Sequence, residues 1–232
     1  MFASKQTSME RILLLSHAFS GGIVLLLGLI SFLDKKGSKS HILIGKIYVG
    51  TTWWICLSAL FIISFYRFSF FLLVIGVLTF YASFVGVRVV RRKKSSSEKW
   101  YDWLVSGLTS LFGIGLLVYG CYLIIATQSA HILGILSVIF GGFTARSGIL
   151  DLRHYYSEDP DEKFWWLHQH ISAMGGSYIA AITAFAVQNN RIFLPDGYGW
   201  LAWLMPAILF SPLLSLMKRR FEGRFKKAKT IA

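Results

Sequence analysis

Charged side chains leave seven long apolar stretches along this chain, at residues 12–33, 42–66, 68–90, 103–126, 129–150, 164–187 and 198–217. Lys46 near the start of the second, Arg88 at the end of the third and Arg146 in the last turns of the fifth are the basic residues inside them. The apolar positions are continuous, without the 3.6-residue alternation of an amphipathic helix on a soluble core. Each stretch approaches the ~20 residues a helix needs to cross ~30 Å of hydrocarbon. Pro206 and Pro212 bend or soften the seventh. The first is too long for the apolar core of a signal peptide, and no small-residue cleavage site follows it, so it reads as a retained helix. The pattern predicts an all-α, polytopic membrane helix bundle of seven transmembrane helices, with one domain over residues 1–217 and a basic tail over 218–232.

Composition agrees: 55% of residues are hydrophobic and 15% charged, too few charges to cover a soluble surface of this size. The formal charge of +13 would suit a nucleic-acid partner, but its distribution excludes one. With seven crossings, one side holds Lys5, Arg11, Arg67 and Arg191, four in all, and the other holds the remaining twenty, including Arg91, Arg92, Lys93 and Lys94. The positive-inside rule makes the second side cytoplasmic and puts the N-terminus outside; six crossings would scramble the sorting. Trp100, Tyr101 and Trp103, then Trp165 and Trp166, then Tyr198 and Trp200, sit at helix mouths as interface anchors. The tail from Lys218 to Lys229 is placed to lie against anionic lipid. Cys56 and Cys121 fall inside apolar stretches, with no disulfide or metal-type spacing.

Candidate chemistry lies with the histidines. His17 is followed by Gly21 and Gly28 on one helical face, which leaves room for something flat or for a close helix. His41, Gly45, Tyr48 and Thr52 form one stripe from the cytoplasmic mouth of the second helix. In the sixth, His168 and His170 are ~200° apart and cannot share a face; the His170 face runs on through Met174 and Ser177, and Gly176, Ala180 and Ala184 make a small-residue seam. His41 and His170 are predicted at similar depth on the cytoplasmic side. Ionisable groups at membrane depth are functional candidates, against which stands ordinary packing, and long basic side chains reach the headgroups cheaply.

Taken together, His17 with its glycines, Lys36-Gly37, His41-x3-Gly45-x2-Tyr48 and His170-x3-Met174-x2-Ser177-Tyr178 with Thr183-Ala184-Phe185 resemble the predicted multi-pass bacterial membrane proteins grouped as domain of unknown function 2306. The likeness runs from His17 to about Asn190, with Ile42 where that pattern often has Arg. It implies a multi-pass protein of the bacterial cytoplasmic membrane and little mechanism. There is also a distant likeness to transmembrane b-type cytochromes.

Haem b is the first functional reading. His41 and His170 are its axial candidates, Gly45 and Ser177 give room beside Tyr48 and Met174, and Arg88, Arg146 or Lys46 face the propionates. His17 and His131 are a second pair near the outer side. Electrons would pass between a quinone or other redox partner and an outer acceptor. The alternative is a metal-dependent intramembrane hydrolase, with zinc on His41 and His170 helped by Asp151 and His154 from the loop after the fifth helix. A transporter or ligand sensor, or a structural membrane protein without catalysis, completes the set.

Overall fold

The computed structural model describes residues 7–92, 97–127, 132–156 and 165–231, with side chains described up to Phe221. The described chain is helical: α1 Ser8–Leu33, α2 Lys39–Phe65, α3 Phe70–Val89, α4 Trp100–Thr127, α5 Ile132–Tyr156, α6 Trp165–Gln188, the single turn α7 Asn190–Phe193, and α8 Leu201–Ile231. Seven of these are long and apolar enough to cross a membrane. The chain is therefore an all-α, multi-pass membrane protein. Many of its large apolar side chains lie exposed along the helices, where lipid is their solvent.

The first two helices, α1 and α2, start earlier than their apolar stretches because polar caps, and not hydrophobicity, set the first turn. Thr7 Oγ1 accepts the Glu10 N–H at 3.2 Å and Ser38 Oγ accepts that of His41 at 3.0 Å. Between α1 and α2 the Lys36-Gly37 pair makes the turn. Lys36 Nζ donates to the Ser31, Phe32 and Asp34 carbonyls at 2.9, 2.7 and 3.1 Å, closing the last turn of α1. Gly37 takes φ +78°, which a side chain would strain. A hydrogen bond from Ser40 holds the exposed Asp34 carboxyl below its ordinary range, and bonds from the Lys35 amide and Ser38 add to this.

Two helix ends differ from the sequence-based expectation. Asp151 and His154, expected in a loop, lie in the last turns of α5. Polar partners carry the helix past its apolar stretch: Asp151 accepts a bond from Gln169 at 2.7 Å, and the Tyr155 hydroxyl pairs with Ser106 at 3.0 Å. The last helix likewise runs through residue 217, where a tail was expected to begin, to Ile231, its span ending at Phe221.

Close contacts sort into two units whose boundaries fall inside α3 and α6: Met1–Ser83 with Ile171–Ala232, and Phe84–His170. In the second, α4 and α5 pack through glycines seven residues apart, Gly113 and Gly120 against Gly134, Gly141 and Gly148. A Cβ on Gly113 would overlap the Ala145 backbone, one on Gly141 would lie 2.5 Å from the Leu117 nitrogen, and one on Gly120 2.7 Å from the Gly134 carbonyl. A period of seven keeps the glycines on one seam, and their missing side chains let the backbones touch.

Candidate functional site

In the first unit the expected stripes are largely occupied by packing. His17 Nδ1 lies 2.8 Å from Ser58 Oγ, and that hydroxyl donates its one hydrogen to the Ile55 carbonyl at 2.9 Å, so it accepts from the ring. The flat object beside Gly28 is the ring of Tyr178, which leaves no space for a Cβ there, while the Tyr178 hydroxyl donates to the Leu25 carbonyl at 3.1 Å. Gly21, by contrast, has open space around it. The Tyr48 hydroxyl and Ser177 Oγ are 2.9 Å apart, both buried. Thr52 and Thr183 return their hydroxyls to the Tyr48 and Ile179 carbonyls of their own helices. His41, on the exposed-to-buried edge of α2, and Met174 are half-buried; Gly45 and Gly176 have nothing within 4 Å of where a side chain would start. Lys46 and Arg146 are exposed. His131 lies outside the described residues.

His170 belongs to the second unit. Its Nδ1 lies 2.7 Å from the Gly86 carbonyl of α3. A carbonyl can only accept, so Nδ1 carries the hydrogen, and in a neutral ring Nε2 is left with its lone pair. The contact fixes both the tautomer and the orientation of the imidazole, and it separates His170 from His168, which leaves α6 on another face. His17 differs in its partner and not in its tautomer: the Ser58 hydrogen is committed to the Ile55 carbonyl, so His17 Nδ1 also carries the hydrogen, but it is held by a side chain and not by backbone.

The same unit carries a polar cluster at its basic end. Arg88 gives Nε and Nη2 to Asp102 at 2.7 and 2.6 Å, a side-on fork with the carboxylate wholly buried, and stacks over Tyr101 at 4.8 Å. The Lys99 amide donates to the same carboxylate at 2.9 Å. Arg88 was an expected anion holder; its fork is spent on Asp102. Arg92, read from sequence only as a topology signal, is buried beside Glu98 and stacks at 4.7 Å over Tyr155. Sequence reasoning missed Asp102 and Arg92 as site residues. The available signal was an acid one residue outside an apolar stretch, opposite an arginine in the last turn of the preceding one.

Asp151 and His154, the proposed helpers of a zinc site, are engaged otherwise: Asp151 with Gln169, and His154 against the Trp165 ring at 4.0 Å. Among the described residues no group of three His, Cys, Asp or Glu side chains is placed to hold a metal ion. No protein-family model, no curated protein and no solved structure matches this chain.

Proposed function

We propose that this multi-pass membrane protein binds haem b, with His170 Nε2 as an axial ligand. One observation carries the reading: the Nδ1–H bond to the Gly86 carbonyl, 2.7 Å long, holds the ring as ligating histidines are held, with the second nitrogen bare and the first fixed by backbone. This follows the resemblance to the domain of unknown function 2306 proteins, in which His170 is one of the motif positions. When bound, haem b supplies one-electron transfer, and a membrane quinone or another redox protein is the class of partner that chemistry requires. The chain's own part is to fix the imidazole. The other motif residues support the reading differently: His17, Tyr48, Ser177 and Tyr178 each make a contact that holds helices together, so they are placed as scaffold.

The test is the haem content of the full-length protein, produced with haem precursor and purified in mild detergent, compared among wild type, His170→Ala and His17→Ala. Stoichiometric pyridine-extractable haem in wild type and His17→Ala, and its loss in His170→Ala, is the expected result. Haem-free wild type, or equal haem in all three, would end the assignment.

A further inference from the structure

The unit Phe84–His170 buries two arginines at its basic end and satisfies only one of them. Arg88 makes a full fork to Asp102. Arg92, four residues on, has 2% of its side chain exposed, and its Nε and Nη1 are buried without a hydrogen-bond partner among the described residues. Its backbone is pinned, since the Arg92 amide donates to the Arg88 and Val89 carbonyls, each at 3.1 Å. Its guanidinium plane is fixed as well, lying 4.7 Å over the Tyr155 ring, whose hydroxyl is held by Ser106 at 3.0 Å. The nearest acid among the described residues, Glu98, has its oxygen 3.8 Å from Nη1. That is within Coulomb reach and beyond hydrogen-bond distance. A rigid, stacked guanidinium with unmade donors is a costly thing to bury, and it is relieved by an anion bearing several acceptor oxygens.

We propose that Arg92 is the receptor for a phosphate group, carried by an anionic lipid headgroup or present as free phosphate. Its depth fits phosphate chemistry. Arg92 lies three residues past the last residue of α3, the end of a membrane span, and the nearby Trp100 and Tyr156 are 74% and 80% exposed, as aromatic residues at the headgroup layer are. Phosphate oxygens are the most abundant anionic acceptors in that layer, and a planar arginine fork matches them better than a lysine does. Glu98 is a competitor: while it stays charged it weakens the site, and its removal strengthens it. The proposal is independent of any cofactor at His170.

The experiment is thermal unfolding of the full chain in dodecyl maltoside, a phosphate-free detergent, alone, with added phosphatidylglycerol, and with inorganic phosphate in the buffer. The midpoint is expected to rise in wild type with phosphatidylglycerol or with phosphate. A rise with the anionic lipid alone assigns a headgroup, and an equal rise with inorganic phosphate assigns the free anion. Arg91→Gln, which removes an exposed charge from the same turn, is expected to keep the rise. Arg92→Gln is expected to lose it, and Arg92→Lys, which keeps the charge without the fork, to show less of it. Glu98→Gln is expected to enlarge it. No rise in wild type, a full rise in Arg92→Lys, or its loss in Glu98→Gln would overturn the assignment.

Discussion

Gly141 and Gly28 are both buried glycines at helix contacts, but what they meet differs. Gly141 of α5 faces the backbone of α4 at Leu117; Gly28 of α1 faces the side chain of Tyr178. The contrast extends through the two units. In Phe84–His170, helices touch backbone to backbone and the charged groups at the basic end are buried in a fork between Arg88 and Asp102. In the other unit the helix contacts run through aromatic rings and neutral hydroxyls, Tyr48 with Ser177, His17 with Ser58, Trp53 with Ser83, and its ion pair, Arg67 with Glu10 at 3.0 Å, has the arginine 60% exposed. Side chains can rotate away from an intruding atom and backbones cannot. The Phe84–His170 unit is therefore the less tolerant of change, and the histidine anchored to a backbone carbonyl belongs to it.

The largest expected effect of substitution is at Asp102. Asp102→Asn leaves the Arg88 guanidinium buried without its counter-charge, at a cost of about 3–5 kcal/mol, while Arg88→Met with Asp102→Leu recovers most of it. Thermal unfolding in detergent of the three variants checks this, and a single variant as stable as wild type would remove charge burial from the comparison. Next come the glycines. Gly141→Ala is expected to cost about 1–3 kcal/mol through overpacking against backbone. Gly28→Ala costs less, and less again in a Tyr178→Leu background, an interaction that a double-mutant cycle reads directly. Gly45→Ala and Gly176→Ala, with open space around them, are neutral or mildly stabilising. Equal costs at Gly141 and Gly28 would erase the distinction between the units. Among the changes that destabilise, the smallest cost is that of Tyr48→Phe, which deletes one neutral hydrogen bond to Ser177 and costs about 0.5–1.5 kcal/mol by the same unfolding assay.

The seven crossings were legible because lipid demands long apolar stretches, and composition alone reports them. Helix starts were less so, since Thr7 and Ser38 set them through single hydrogen bonds that hydropathy does not register. The α5 end was misplaced because Asp151 and Tyr155 keep their helix by pairing with residues distant in sequence. At the site, Tyr48, Ser177 and Tyr178 stood out as a pattern, but their direct contacts join α2 to α6 and α6 to α1, and spacing along one helix cannot name a partner on another. The seven-residue glycine register of α4 and α5 was visible in the sequence. It is legible there as a period, but the backbone that the gaps admit lies on the other helix. Arg92 was hidden by its neighbours: in a run of four basic residues, nothing marks the one that turns inward.

The ligation of His170 is tested most directly by chemical rescue. His170→Gly protein, purified and supplied with haem, is titrated with imidazole while its absorbance is followed. After unbound haem is removed, no protein-bound Soret band is expected before imidazole and a band matching wild type after it, since the added ring takes the place of the missing one. A Soret band already at full height in His170→Gly, unmoved by imidazole, would contradict it.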